Sequence, residues 1–293
     1  MNLDKSPGLA PDDGASLSIA ALSGVVLFHL LAGLVFFAGF SPVALVVCLA
    51  LLVVRALGIT AGYHRYFSHR AFKTNRPVQF LLALLGTLAA QGSLFWWVSH
   101  HRDHHKYSDT DADLHSPVAH GFWKGHIGWL FAKRSLDRGG ATVADLEKFP
   151  ELRFLDRFYW PIVFMQGVVI YFFGAWLAAT FPGLGTSAFQ ILVWGYFLSS
   201  VLLLHNTFFV NSLTHLWGSR PYNTRDNSRN NALVGITAMG EGWHNNHHRF
   251  AYSARLGLKW WQIDVTWYLL WTMQKLGLIW DVRLPRVNDT QAA

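Results

Sequence analysis

Three histidine-rich clusters, far apart along the chain, are the residues best suited to chemistry. They occupy residues 64–69 (HRYFSH), 101–105 (HRDHH) and 244–248 (HNNHH). In the last two, histidines recur at positions i, i+3 and i+4, so on a helix their imidazoles project from one face. Neutral imidazole is a ligand suited to iron, zinc, copper and nickel. We therefore interpret the three clusters as the ligands of one shared metal site.

The chain offers nine candidate histidine ligands, which are too many for a single ion. They are His64, His69, His101, His104, His105, His215, His244, His247 and His248. Asn211 lies one helical turn before His215 and joins the candidate site. Because a zinc ion in a protein uses three or four protein ligands, nine imidazoles at one place indicate two metal ions.

Acidic residues near the clusters are candidates for orienting the imidazoles. Glu241 lies three residues before His244, and we interpret it as a supporting residue rather than a ligand. The aspartates around the second cluster are plausible acceptors for ring N–H groups, namely Asp103, Asp109, Asp111 and Asp113. His29 is predicted to hydrogen-bond a neighbouring helix. The remaining histidines are assigned to supporting or structural roles: His100, His115, His120, His126 and His205.

The composition is that of a membrane protein. Of 293 residues, 52% are hydrophobic and only 14% are charged, which is unusual for a soluble domain. The single cysteine, Cys48, excludes an internal disulfide and any CxxC metal site. The net charge of +7 is not concentrated in a basic helix, so no nucleic-acid partner is predicted.

Apolar stretches predict four transmembrane helices, at about 17–40, 43–62, 160–181 and 187–210, each long enough to cross a hydrocarbon core. A fifth stretch, 78–98, would put the first two clusters on opposite faces of the membrane if it crossed, so we interpret it as an interfacial or re-entrant helix. The predicted fold is an all-α integral membrane protein with a cytoplasmic helical cap holding a histidine-rich dimetal site. Residues 1–16 are predicted to be a mobile cytoplasmic N-terminus, and 17–293 a single domain.

The distribution of cations predicts the orientation in the membrane. The two short turns between predicted spans, 41–42 and 182–186, contain none of the 24 Lys and Arg residues. The positive-inside rule therefore places both termini and all three clusters in the cytoplasm. Arg55, near the predicted end of the second span, is expected to snorkel toward the interface.

The clusters and their spacing resemble those of the integral-membrane fatty acyl desaturases of the stearoyl-CoA desaturase type. The resemblance runs from about residue 59 to 285 and includes GITAG (58–62), GHIGW (125–129), NSLTH (211–215) and EGWHNNHH (241–248). It implies two non-haem Fe²⁺ ions. One would be held by His64, His69, His101, His105 and His247, and the other by His104, His215, His244 and His248, with Asn211 acting through water.

This resemblance implies an O₂-dependent insertion of a cis double bond, with Δ9 the favoured position, into a long-chain saturated acyl-CoA. It also implies a bent substrate tunnel lined by Gln91, Trp97 and Thr207, with its far end near Leu52 and Ala56. Two electrons must come from a separate ferredoxin, flavoprotein or cytochrome b5-like protein, because the chain has no haem or ferredoxin motif. Motifs such as TRDNSRN (224–230) are typical of bacterial relatives, which indicates a bacterial inner membrane.

Three other functions remain open from the sequence. An acyl chain esterified in a membrane lipid could replace acyl-CoA, since relatives of both kinds share these motifs. A membrane di-iron hydroxylase would use the same oxidant, although such enzymes space their clusters differently. A non-catalytic metal or haem carrier should place histidines along its spans, whereas here all nine candidates lie on one side.

Overall fold

The computed structural model of the protein describes residues 17–286, so the predicted N-terminal segment 1–16 lies outside the described residues. The described residues are mostly helical, as predicted. Its α-helices, numbered α1 to α14 in order, are Ile19–Gly33, Pro42–Leu57, Arg76–Leu88, Leu94–Tyr107, Pro117–His120, Phe122–His126, Ala144–Glu147, Pro150–Arg157, Tyr159–Thr180, Ala188–Leu192, Ser199–Leu216, Ala232–Thr237, His244–Arg249 and Val265–Lys275. Two short strands, β1 (Lys73–Thr74) and β2 (Ile279–Trp280), pair antiparallel.

Four helical segments are long and apolar enough to cross a membrane, in agreement with the predicted four spans: Ile19–Phe36, Pro42–Ser68, Tyr159–Thr180 and Ala188–Leu216. The second and fourth run past the ends expected from hydropathy. α2 continues as a π-helix over Gly58–Ser68, and the fourth span joins α10 to α11 through a π-helical stretch, Val193–Leu198. These extensions carry the first histidine cluster and His215 out of the apolar region on continuous helix.

The stretch predicted as one interfacial helix over 78–98 is two helices, α3 and α4, separated by residues 89–93. Ala90 and Gly92 have φ values of 58° and 101° in this connection, and such left-handed backbone cannot continue a right-handed helix. A Cβ on Gly92 would also lie 2.2 Å from the Trp96 ring. As a result, Trp97 shares α4 with the second histidine cluster instead of ending a separate helix.

Arg55 does not snorkel, contrary to the expectation from its position. Its side chain is buried and donates hydrogen bonds to the hydroxyls of Ser199 and Ser200 and to the carbonyl of Gly195. The π-helical stretch before Ser199 shifts the backbone hydrogen-bond pattern there. Arg55 therefore ties the second span to the fourth within the bundle.

Glycines allow the extension of α2 to pack closely on α3. A Cβ on Gly58 would lie 2.3 Å from the carbonyl carbon of Leu85, and one on Gly62 would lie 2.7 Å from the carbonyl oxygen of Leu82. Real Cβ atoms do not approach backbone so closely, so only glycine permits this packing. This contact between the α2 extension and α3 fixes the position of the first histidine cluster at the end of the second span.

A buried ionic cluster joins the end of the second span to the C-terminal part of the cap. Arg65 donates to Asp264 at 2.9 and 3.1 Å and to Glu241 at 3.0 Å. Asp264 also accepts from the backbone N–H groups of Leu256 and Trp267. Burying a charge is costly unless it is paired, so these carboxylates fix the segment that carries the third histidine cluster.

Candidate metal centre

The structure brings all nine candidate histidines together as two neighbouring sets. The first contains His64, His69, His101, His105 and His247, and the second contains His104, His215, His244 and His248. Within each set, the potential ligand nitrogens lie within 4.8 Å of one another. The division equals the one that the family resemblance implies. The ligands come from the α2 extension, α4, α11 and α13, so neither set exists without the tertiary fold.

The Nε2 atoms face one another in both sets. In the first set, His247 Nε2 lies 3.0 Å from His64 Nε2 and 2.8 Å from His105 Nε2. In the second, His244 Nε2 lies 3.1 Å from His215 Nε2 and 3.0 Å from His248 Nε2. Each set therefore turns its Nε2 atoms toward a common centre.

Carboxylates on the outer nitrogens decide which nitrogen carries the proton in the second set. Asp113 lies 3.0 Å from Nδ1 of His104, Asp109 lies 3.0 Å from Nδ1 of His215, and Asp226 lies 2.6 Å from Nδ1 of His248. An ionised carboxylate only accepts hydrogen bonds, so each Nδ1 must donate. The Nε2 atoms of these neutral imidazoles then present lone pairs to one another. A cation at the centre of the set relieves that repulsion, and the donor set fits a transition metal.

The protonation states also suit metal binding. Burial, followed by the charges of neighbouring histidines, lowers the pKa of His69, His101, His105 and His247 well below the ordinary value. Burial lowers the pKa of His248 to about 4. Burial alone would raise the pKa of Asp113 and Asp226, but the partner histidines hold both well below the usual range. Neutral imidazoles backed by ionised carboxylates are what a metal ion requires.

Glu241 lies on the outer side of the first set. Its Oε2 is 2.6 Å from Nδ1 of His64, while its Oε1 accepts from Arg65. Since Nε2 of His64 is the nitrogen that faces the set, Glu241 can orient this imidazole and does not join the inward-facing nitrogens. The position agrees with a supporting role.

The aspartates named from the sequence divide into two groups. Asp109 and Asp113 contact candidate ligands, whereas Asp103 accepts from the backbone N–H of Gly140 and Asp111 is exposed. Asp226 belongs with the first group, and the sequence did not single it out. It lies 22 residues before His248, and nothing in that spacing predicts their contact.

The other histidines lie around the site or away from it. His115 contacts Asp113 behind His104, and the ring of His100 lies 4.4 Å from that of Trp96. His29, His205 and His126 form a hydrogen-bonded chain that links α1, α11 and α6, with distances of 2.9 and 3.0 Å. None of these histidines belongs to the five-histidine set or to the four-histidine set, in agreement with their predicted roles.

Two cavities meet at the histidines. The larger, of about 650 Å³, is lined by α1, the 89–93 connection, α4, the segment 129–138, α9 and α11. The smaller, of about 50 Å³, lies between α2, α11 and the segment before α13. Trp97, His101, Thr207 and Asn211 line both cavities. The walls are largely apolar, so the pair of cavities suits an aliphatic chain passing the metal centre.

The residues predicted for the tunnel occupy different parts of these cavities. Trp97 and Thr207 lie where the cavities meet, and the indole of Trp97 stacks on His101 with ring centres 5.0 Å apart. Gln91 lines only the larger cavity and Ala56 only the smaller one. Leu52 is not among the described residues that line either cavity, although it packs against the neighbouring core.

Comparison with known proteins identifies the family. A family model described as fatty acid desaturase matches residues 40–282, which include both histidine sets and the last three of the four helices that could cross the membrane. The chain belongs to the fatty acid desaturase family. The histidine sets therefore lie within the part of the chain that the family shares.

Several desaturases named for different substrates are similar to the chain. An acyl-CoA C20 Δ5-desaturase from Anemone leveillei is 42% identical over 82% of this chain and 73% of its own length. An icosanoyl-CoA 5-desaturase from Limnanthes douglasii is 44% identical over 80% of this chain and 63% of its own length. An sn-1 stearoyl-lipid 9-desaturase from Anabaena variabilis is 40% identical over 79% of this chain and 80% of its own length. Fatty acid desaturases are oxidoreductases, so membership indicates the reaction class but not the substrate.

Proposed function

We propose that this protein is an O₂-dependent fatty acyl desaturase that inserts a cis double bond, at Δ9, into a long-chain saturated acyl-CoA. One observation carries the proposal: two sets of inward-facing imidazoles lie where two apolar cavities meet. In the overall reaction, a –CH₂–CH₂– unit, O₂, two electrons and two protons give –CH=CH– and two waters. The electrons come from a separate protein.

The two histidine sets would each hold one non-haem Fe²⁺, with Asn211 close to the second set. Bound iron supplies the reaction with O₂ that side chains alone cannot supply, because an unactivated C–H bond has no acidic proton. Asp109, Asp113 and Asp226 hold three imidazoles of the second set in the tautomer that binds metal, and Glu241 lies beside Nδ1 of His64. The lone pairs of the inward nitrogens are therefore available before any ion arrives.

The cavity walls position the acyl chain. Trp97 and Thr207 stand at the meeting point of the cavities, where the chain must change direction beside His101, and Gln91 lines the approach. Because positional selectivity requires one methylene pair to be held next to the metals, these residues set where the double bond forms. Ala56 lines the space for the methyl end of the chain.

Acyl-CoA is the proposed substrate because exposed cations flank the larger cavity. Lys133 and Arg134 form no ion pair within residues 17–286 and directly precede Ser135 and Leu136, which line it. Phosphates of CoA suit such cations. An acyl lipid is the second candidate, since exposed residues of α1, Ala20 and Gly24, also line this cavity and some relatives are named as lipid desaturases.

The proposed location is a bacterial inner membrane, with both termini and the metal centre in the cytoplasm. The turn between α9 and α10 contains no Lys or Arg, whereas the segments around the metal centre are rich in them, and this asymmetry supports a cytoplasmic centre.

The test is expression in a bacterial strain that makes no unsaturated fatty acids, with the acyl chains of the free CoA pool and of phospholipid analysed over time. A monounsaturated product with one fixed bond position, appearing first in CoA, is expected from the wild type. His104→Ala should abolish it, whereas His29→Gln, which changes a histidine outside both sets, should retain it.

The other functions give different results in the same experiment. Appearance of the product first in phospholipid would establish the acyl-lipid substrate. Hydroxylated chains would identify a hydroxylase instead. No oxidised product, with an electron donor present and both metal sites filled, would favour a carrier.

A further inference from the structure

The two sides of the metal centre differ in what they face. His64, His101, His104 and His244 line the cavities proposed for the acyl chain. His69, His105 and His248 line neither cavity. His69 and His105 are partly exposed, and the buried side chain of His248 stacks on His105. The substrate side and the water-facing side of the centre are therefore formed by different histidines. The water-facing side does not contact the proposed acyl chain.

Exposed cations follow two of these histidines directly in the chain. Lys106 follows His105, and Arg249 follows His248; the rings of these two histidines stack with centres 4.5 Å apart. The ends of α4 and α13 therefore meet at this point. Both Lys106 and Arg249 are exposed, and within residues 17–286 neither forms an ion pair.

Arg283 and Arg70 extend the same surface. The backbone N–H of Arg283 donates to the carbonyl of Ala71 at 2.8 Å, which places it beside Arg70 and His69. The Arg283 guanidinium lies 5.0 Å from the Tyr252 ring centre. Arg70 pairs with Asp145, which also accepts from Arg102, so one carboxylate serves two guanidiniums. We call Arg70, Lys106, Arg249 and Arg283 the basic patch.

We propose that the basic patch is the docking surface for an acidic electron-transfer protein, which delivers electrons to the metal centre through His69, His105 and His248. This inference rests on the proposed function, because desaturation with O₂ consumes two electrons that the substrate does not supply. Unneutralised cations attract an acidic partner and accelerate its encounter. No residue of the patch lines either cavity, so a donor can bind while the acyl chain is in place.

A binding experiment tests the patch without requiring turnover. The protein is placed in nanodiscs of phosphatidylcholine, which carry no net charge, and binding of an oxidised, acidic plant-type [2Fe–2S] ferredoxin is measured at low and high salt. The test variant is Lys106→Glu with Arg249→Glu. The matched control is Arg153→Glu with Lys259→Glu, which makes the same charge change at exposed cations outside the patch.

The wild type and the control variant should bind the ferredoxin with affinities that fall as salt rises, because exposed charges are screened. The patch variant should bind about tenfold or more weakly at low salt, with little salt dependence. Equal loss of binding in both variants, or no salt-sensitive binding by the wild type, would overturn the proposal. Anionic lipid added to the nanodiscs should not compete with the ferredoxin; competition would assign the patch to lipid headgroups and likewise overturn it.

A second measurement separates docking from folding and from the proposed function. In iron-loaded protein, reduction by dithionite should be equal in all three proteins, whereas reduction by ferredoxin should be slowed about tenfold or more only in the patch variant. If the wild type accepts electrons from ferredoxin but forms no double bond, the proposed function fails while the docking surface stands. If double bonds form equally well in the patch variant with ferredoxin as donor, the docking surface fails and the function stands.

Discussion

At the residue scale, the carboxylates behind the imidazoles prepare the centre for metal. Asp226 shows this most directly, because it lies 2.6 Å from Nδ1 of His248, closer than Asp109 or Asp113 lies to its histidine ligand. With a carboxylate fixed on Nδ1, the imidazole is held in one orientation and one tautomer. The fold therefore fixes the orientation and the tautomer of the imidazole before a metal ion binds, and binding does not have to order the ligand.

Asp226→Asn should lower the affinity of the second metal site by about 10- to 100-fold and leave the first site nearly unchanged. The asparagine keeps the size of the side chain, but its amide NH₂ competes with the required acceptor and its oxygen carries no charge. Metal content after dialysis against graded chelator measures the effect. Asp111→Asn, at an exposed aspartate that contacts neither set, is the control, and equal metal loss in both variants would contradict the role of Asp226.

Ala56 is the residue at which substrate length is best tested. It is buried and lines the smaller cavity, so Ala56→Leu should shorten the preferred acyl chain. The change adds three carbons to packed surroundings, so a modest loss of stability, about 1–3 kcal/mol, is also expected. Product chain lengths from a mixture of saturated substrates measure the preference.

Leu52 provides the comparison, because the family resemblance places it at the tunnel end and the structure does not. Leu52→Ala should leave chain-length preference unchanged. A longer preferred chain in that variant would show that the acyl chain extends past Ala56 to the next turn of α2.

At the scale of the elements, long apolar helices were predictable and their polar continuations were not. Hydropathy places all four spans, because each must be apolar to meet lipid. Hydropathy does not predict that the helix of the second span continues to Ser68 or that α11 continues to Leu216, because those turns are stabilised by contacts with the cap. The break between α3 and α4 depends on left-handed backbone at Ala90 and Gly92. Glycine is typical of such a position, whereas Ala90 gives no such signal.

The same limit applies to the site. The nine candidate histidines were predicted from residue types and spacing, and their division into two sets is what the family resemblance implies. The contact of Asp226 with His248, and the buried position of Arg55, depend on how distant segments pack. Local sequence does not carry that information.

Arg55 allows the joint between the second and fourth spans to be tested. Ser199→Ala with Ser200→Ala should destabilise the protein by about 3 kcal/mol, because it leaves a buried guanidinium without two of its acceptors. Adding Arg55→Met should recover most of that stability, since an apolar side chain needs no partners there. Thermal unfolding in detergent measures the three proteins, and a triple variant less stable than the serine double variant would contradict this account.

At the scale of the whole molecule, two approaches to one buried centre are kept apart. The proposed acyl chain would reach it through cavities bordered by the spans, and the proposed donor would reach it from the cap. The turn between α9 and α10 lies at the other ends of its spans. This arrangement works only if the cap faces the compartment that holds the donor. The orientation of the spans is therefore part of the function, and the positive-inside rule predicts it.

Single cysteines can measure that orientation, because Cys48 is the only native cysteine and is buried. With Cys48→Ala as background, Gly183→Cys places a thiol in the turn after α9, where no atom lies within 4 Å of the added Cβ. Arg153→Cys places one on α8 in the cap. A membrane-impermeant maleimide should label Gly183→Cys on spheroplasts and Arg153→Cys only after lysis. The reverse pattern would put the metal centre and the basic patch outside the cell, away from reduced cytoplasmic donors, and a different source of electrons would then be needed.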